Sequence, residues 1–347
     1  MQHGYKDWVP SQNYYAFAQA AGCNTSVAFR NPDSLPIFEC LQGKDLQTLI
    51  QAATDVSQSG VYYSWAFVPV TDGKVIQDRP SEALAKGQVN GINHLTGNNA
   101  QEGAAFVPTG INTIDDLVEY LKDFYPTFDN NDISKLLDYY DIGTNASTDP
   151  DAPLWATDGS SDGPTNLNQS TRATGQQQRA IAIVGETELI CPSYWLAEAY
   201  SSNDHSGKAW KYQFSIPNAE HGADTFANLR DFYSPKFSFA FRKMYGNFIL
   251  HGNPSIDSAI ADGTAPGGYG NSTINPISNW PAYSVAEPVM ANLNTTCPDI
   301  ILQSGLPYCG TGDNAQNRIR LVDAAEWEGG RGRRCDFWKM MGEKVPL

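Results

Sequence analysis

Two residues of this chain combine the side-chain type and the setting that proton transfer needs. Glu102 stands in GNNAQEGAAF, a few residues beyond an extended stretch. His221 stands in PNAEHGADTF, a few residues beyond a strand pattern at 209–216. In open parallel sheets, functional groups gather just past the carboxyl ends of the strands. Two loops at one such edge can join Glu102 to His221 despite their separation in sequence. A carboxylate against one imidazole nitrogen fixes the tautomer and supports the cation formed when the ring takes a proton. Spacing alone leaves the structural readings open. A glutamate before a glycine is often a solvated loop residue, and a histidine near a strand end is often a satisfied core or surface group.

Other candidates carry less. His3, His94, His205 and His251 have no supporting motif, and only His94, close to Glu102 in sequence, merits a test. Gly159 to Gly163 (GSSDG) fits G-x-S-x-G and would make Ser161 a nucleophile. Such an elbow needs a strand before it and a helix after it, and this one lies in a polar stretch. Ser161 therefore reads as a loop serine. Asp115 and Asp116 read as the acidic first turn of a helix. Arg331, Arg333 and Arg334 form too short a basic run for nucleic acid and read as a solvated loop. Trp65, Trp195, Trp280, Trp327 and Trp338 read as core or pocket wall. No C-x-x-C or H-x-x-x-H spacing suggests a metal site, and nothing indicates a cofactor. A glycoside hydrolase would need two facing carboxylates, and no such pair stands out.

The elements that must position Glu102 and His221 follow from periodicity. Residues 45–57, 113–125, 131–140, 176–200 and 237–250 have helical spacing, with Asn112 and Asn130 as caps for the second and third. The stretch 176–200 breaks near Cys191-Pro192, and 237–250 reads as mostly buried. A short helix starts at Ser81 and a last one spans 335–342. Residues 62–76 read as two strand segments about Thr71-Asp72-Gly73, while 209–216 and 318–322 read as strands. Residues 149–174 read as a surface excursion and 256–296 as loop. Strands separated by helices predict an α/β fold with a mainly parallel sheet. About three recognisable sheet strands fall short of the ~5–6 of a mean sheet, so the sheet reads as cut.

Composition sets the outer limits. The 347 residues are 41% hydrophobic and 12% aromatic, enough to bury a core, and the net charge of −15 argues against nucleic acid or anionic membrane as partner. No run approaches the ~18 apolar residues of a membrane span. Six cysteines and the sequons at Asn24, Asn145, Asn168, Asn271 and Asn294, each in a loop-like stretch, favour the secretory route. The start MQHGYKDWVP nevertheless lacks the features of a signal peptide. Secretory chemistry without a secretory address reads as an incomplete chain.

Several segments resemble the type-B carboxylesterase and cholinesterase family, especially its fungal branch. GNNAQEG matches that family's G-x-N-x-x-E-G at Gly97, Asn99, Glu102 and Gly103, and His221-Gly222-Ala223-Asp224 matches its H-G-x-[DE]. Cys23 with Cys40, the VTDGKVIQDRP stretch, GNFILHGNP followed by Trp280-Pro281-Ala282-Tyr283, and Cys335-Asp336-Phe337-Trp338 follow in the family's order.

The resemblance implies an α/β-hydrolase fold, with residues 1–347 as the C-terminal part of one carboxylesterase domain. It makes Glu102 the acid and His221 the base of a Ser-Glu-His triad acting on a small-molecule or lipid ester. The family's nucleophile elbow lies upstream of all these segments, so no serine here is its counterpart, and the chain alone is expected to be inactive. The family pairs Cys23 with Cys40 and Cys191 with Cys335. Cys297 and Cys309 remain, and their proximity suggests a third loop. A cut sheet implies an unpaired edge that invites association.

Overall fold

The strand at residues 209–214 alternates apolar and polar side chains, yet all six are buried, because it lies inside a sheet covered on both faces. The computed structural model describes residues 3–4, 7–26, 35–60, 65–141, 159, 165–202, 207–230, 232–264, 274–303, 306–310 and 314–345. Its strands are β1 (His94–Asn99), β2 (Ala209–Phe214), β3 (Val289–Thr295), β4 (Ile300–Gln303), β5 (Leu306–Cys309) and β6 (Asn317–Asp323). The main sheet runs β1-β2-β3-β6, parallel except for the antiparallel β3–β6 pair, and β4–β5 form a separate hairpin.

The helices are α1 (Trp8–Ala20), α2 (Leu35–Gln42), α3 (Leu46–Ser59), α4 (Pro80–Ala85), α5 (Ile114–Phe124), α6 (Asn130–Tyr139), α7 (Gly175–Gly185), α8 (Cys191–Tyr200), α9 (Ala223–Leu229), α10 (Pro235–His251), α11 (Ser258–Ala261) and α12 (Trp327–Met340). Trp210, Tyr212 and Phe214 pack with Phe237 and Phe241 of α10 on one side of the sheet. On the other side, a cluster including Leu121, Ile183, Trp195 and Trp338 joins α5, α7, α8 and α12. A smaller cluster, with Ala18, Ile37, Leu41 and Ala52, holds α1 to α3. The disulfides are Cys23–Cys40, Cys191–Cys335 and Cys297–Cys309. The second closes 144 residues, a constraint of ~5 kcal/mol on the unfolded chain in the loop-entropy account.

Several expectations are corrected. Residues 65–76 hold no strand beyond an isolated bridge from Thr71 to Gly4. The Asp72 carboxylate accepts the N–H groups of Lys74, Val75 and Ile76, which takes those donors from any ladder. Residues 256–296 contain β3, whose VMANLNT sequence has strand formers Val289 and Thr295 only at its ends, with alanine and two asparagines inside, and is held by pairing on both sides. The caps of α5 and α6 are Thr113 and Asp129, not Asn112 and Asn130, because each stands three residues before an aspartate that reaches back. Helix α7 runs into α8 through a π-turn at Glu186–Ile190, which widens the helix just before Pro192. Residues 165–171 are buried, not a surface excursion, and Ser161 lies outside the described residues. Trp65 is exposed, and α10 leaves one face open.

Candidate active site

The carboxyl ends of β1 and β2 lie side by side, with Asn99 opposite Phe214. Past that point the Ala100 N–H donates to the Phe214 carbonyl and the Gln101 N–H to that of Ala219, so both outgoing loops are stitched together. Glu102 opens a 3₁₀ turn, Glu102–Ala105, pressed onto α7. A Cβ on Gly103 would fall 2.0 Å from the Ile181 carbonyl oxygen, so only glycine allows this approach. His221 leaves the β2 loop just before Gly222, whose φ of +85° turns the chain into α9.

The Glu102 carboxylate, 5% exposed, is held from both ends. Oε1 accepts the Asn99 N–H at 2.6 Å and Asn99 Nδ2 at 3.1 Å. Oε2 lies 2.7 Å from His221 Nδ1. Asn99 also clamps the histidine loop: its Oδ1 accepts the Asp224 N–H at 3.0 Å, and its Nδ2 donates to Asp224 Oδ1 at 3.1 Å. The Tyr212 hydroxyl donates to Asp224 Oδ2 at 2.9 Å. Phe106 meets the His221 ring edge-on at 5.1 Å. With Nδ1 engaged by Glu102, Nε2 is the ring nitrogen left for a reacting proton, on a side chain 49% exposed.

A profile of the carboxylesterase family matches residues 3–296. The chain belongs to that family. A secreted lipase of Gibberella zeae is 23% identical over 279 residues, which cover 70% of this chain and 47% of the lipase. An inactive carboxylesterase-like protein of Byssochlamys spectabilis is 32% identical over 148 residues, 40% of this chain and 25% of that protein. The crystal structure of Aspergillus niger EstA superposes with a TM-score of 0.62 at 16% identity, covering all of this chain and 57% of the other. The fold is thus that of an α/β-hydrolase. This carboxylesterase-family chain spans about half the length of such relatives or less.

Within this pair, the Glu102 hydrogen bond raises the proton affinity of His221 above its ordinary 6.5, partial burial opposes this, and the charges of Glu102 and Asp224 add to it. A raised imidazole contributes stability that is fully present below about pH 6.5 and is lost as pH climbs through the folded-state value. An NMR titration of the His221 ring should therefore show a midpoint above 6.5 that falls in Glu102→Gln. A midpoint unmoved by that substitution would contradict the contact.

The remaining candidates scatter. His94 lies at the far end of β1, about 20 Å away along the strand, stacked on Tyr200 at 4.6 Å, and burial lowers its affinity for protons. His251 ends α10, His3 lies near the N-terminus, and His205 is outside the described residues. Asp116 completes the α5 capping box. Of the sequons, Asn24 is exposed, while Asn145 and Asn271 lie outside the described residues. Asn168 is corrected: its side chain is buried and accepts the Thr165 hydroxyl at 2.6 Å, leaving no room for a sugar. Asn294 sits on β3, between two paired strands, rather than on a loop.

Sequence reasoning missed a buried charged network beneath the sheet. Arg331 and Arg334 are buried rather than solvated, because Glu186 lies between them. Glu186 Oε1 accepts Arg331 Nε at 3.0 Å and Arg334 Nη2 at 2.7 Å, while Oε2 accepts Arg334 Nε and the Tyr140 hydroxyl, each at 2.8 Å. Trp338 Nε1 donates to that hydroxyl at 2.7 Å. Lys211, fully buried on β2, donates to Ser193 Oγ at 2.6 Å and Asn98 Oδ1 at 2.8 Å. Burial, then the Arg331 charge, pushes its ammonium well below the usual lysine range. No sequence signal marked it, because alternation in 209–214 reads as a strand with one wet face and only the packing of α8 buries the lysine.

Proposed function

We propose that this carboxylesterase-family chain supplies the acid and base of a Ser-Glu-His triad for carboxylic ester hydrolysis. The observation that carries the reading is the 2.7 Å contact between Glu102 Oε2 and His221 Nδ1. In the proposed reaction a serine hydroxyl attacks the ester carbonyl while His221 Nε2 takes its proton. That proton goes to the leaving alcohol as the tetrahedral adduct collapses to an acyl-serine. Water then repeats the sequence, releasing the acid and restoring the serine. Glu102 holds the imidazole in the tautomer whose Nε2 can accept. We assign the serine to the half of the domain that relatives have and these 347 residues do not include, with 1–347 as the domain's C-terminal part. The substrate is a small-molecule or lipid ester, the parent protein is secreted and glycosylated at sites such as Asn24, and no cofactor takes part.

A non-catalytic binding protein on the same fold is the competing reading, favoured by the relative named as inactive. The test extends the reading frame upstream, looks for a G-E-S-A-G-like elbow and a signal peptide, and expresses the extended protein. Fluorophosphonate labelling of the elbow serine with turnover of a p-nitrophenyl ester is the expected result, and the 347-residue chain should do neither. Absence of both upstream features, or a secreted extended protein that resists labelling, would sink the enzyme reading.

A further inference from the structure

Residues 165–174 belong to neither loop of the Glu102–His221 pair, yet they bond to both. Asn166 takes the side of the acid. Its Nδ2 donates to the Ala100 carbonyl at 2.8 Å, and its Oδ1 accepts Gln101 Nε2 at 2.6 Å. Ala100 and Gln101 are the two residues immediately before Glu102. The main chain of Asn166 is fixed as well. Its N–H donates to Glu328 Oε2 at 2.7 Å, and its carbonyl accepts Gln178 Nε2 at 2.6 Å. Glu328 lies at the kinked start of α12, where its own carbonyl accepts Arg334 Nη2 at 2.9 Å. The segment is thereby anchored to α7 on one side and to the buried arginine network on the other.

Arg172 takes the side of the base. Nε and Nη2 both donate to the Glu220 carboxylate, the second at 2.7 Å, in a two-pronged contact. Glu220 directly precedes His221. A tight reversal presents the arginine: Ser170 Oγ accepts the N–H groups of Arg172 and Ala173, the Ser170 N–H donates to the Ala173 carbonyl, and Gln169 pairs with Thr174. Asn166, Gln101, Gln178 and Glu328 are all buried. Buried polar groups cannot exchange a lost partner for water, so such bonds hold one geometry rather than several. Burial of this kind does not depend on what covers the outer surface of the chain.

We infer that residues 165–174 form a strap that sets the spacing of the Glu102 and His221 loops, with Asn166 and Arg172 as positioning residues for the proton-transfer pair. Each acts through the loop it holds. The inference deepens the proposed hydrolysis and rests on it.

The test is the NMR titration of the His221 ring in the 347-residue chain. Asn166→Ala and Arg172→Ala should each bring the midpoint down toward 6.5, and the double variant further, because a loosened carboxylate supports the imidazolium less. Direction decides the case of Arg172→Ala. Deleting a nearby cation without moving the loop would favour the imidazolium and raise the midpoint. Arg172→Lys keeps the charge without the fork, so its midpoint should lie between those of the parent and Arg172→Ala. Leu41→Ala, in the separate cluster of α1 to α3, should lower thermal melting and leave the midpoint at the parent's value. In an extended protein that hydrolyses esters, Asn166→Ala should lower kcat on the order of 10²-fold with KM held, the scale of a misplacement of about 1 Å. The inference is overturned if Arg172→Ala titrates at or above the parent, if a folded Asn166→Ala titrates as the parent does, or if Leu41→Ala shifts the midpoint as far as either. Should Asn166→Ala fail to fold, Arg172→Ala and Arg172→Lys carry the test alone. Glu102→Gln separates the two readings. If it lowers the midpoint and the strap variants do not, the strap falls and the acid–base pair stands; if it leaves the midpoint unmoved, both fall.

Discussion

Replacing Glu186 with glutamine is expected to lower folding stability by about 3–5 kcal/mol, the range for removing one partner of a buried ion pair. Glu186, Arg331 and Arg334 are all essentially excluded from solvent, so the two guanidiniums cannot recover hydration when the carboxylate goes. An amide keeps the shape and part of the hydrogen bonding but leaves one buried carboxylate fewer against two cations. Domains of ordinary stability have only about 5–15 kcal/mol in hand, so the loss should show as a large drop in the urea midpoint followed by tryptophan fluorescence. Burial works against the charge of Glu186, but Arg334 and Arg331 outweigh it, holding its carboxyl below the usual range. A depressed carboxyl contributes stability that is present above the unfolded value near 4.5 and is lost as pH falls through the folded one. The parent should therefore weaken below about pH 4.5, and Glu186→Gln should lack that contribution at every pH. Replacing all three residues with leucine or methionine should recover only part of the loss, because the buried Glu328, which Arg331 and Arg334 also compensate, then lacks its cations. A Glu186→Gln protein within 1 kcal/mol of the parent would mean that water reaches the network.

The same network marks where the sequence stops being legible. Glu102, His221, Asn99 and Gly103 could be read because short stretches around them match the family's motifs, while spacing alone left the pair open, and the structure closes Glu102, His221 and Asn99 into one hydrogen-bonded set. Helices α3, α5, α6, α7, α8 and α10 and strand β2 could be read because a helix or strand writes its period locally, whereas α1, α2 and α9 were not read. Glu186, Arg331 and Arg334 could not, since a charged residue is solvated unless a partner removes it from water, and these partners lie 145 and 148 positions apart. Lys211 was hidden differently. Alternation in 209–214 suggests one wet face, but α8 covers it, so the polar face of the strand became a buried hydrogen-bonding surface. Strand β3 was invisible because its pairing partners, not its composition, hold it extended. Three disulfides follow the expected partners, and for Cys297 and Cys309 only proximity had pointed to the loop they close.

In an extended protein that hydrolyses esters, Glu102→Gln should lower kcat by about 10⁴-fold with little change in KM, the size seen when a triad acid becomes its amide. The reason is geometric. The carboxylate Oε2 can only accept from His221 Nδ1, which forces the proton there and leaves Nε2 free to take one from serine. Glutamine can instead present its NH₂ group to Nδ1, and the ring proton then moves to Nε2, where it blocks the base. Asn99 would keep the substituted side chain in place through Oε1, so the change should fall on the tautomer rather than on the loop. His221→Ala should be at least as damaging, and the double variant no worse than His221→Ala alone, because the two residues act as one unit. The pH profile supplies an independent readout. Because Glu102 raises the proton affinity of His221, the acid limb of kcat/KM should inflect above 6.5 in the parent and at lower pH in Glu102→Gln. Residual activity within tenfold of the parent, or losses that multiply in the double variant, would separate the carboxylate from the chemistry and reduce its contact with His221 to a structural one.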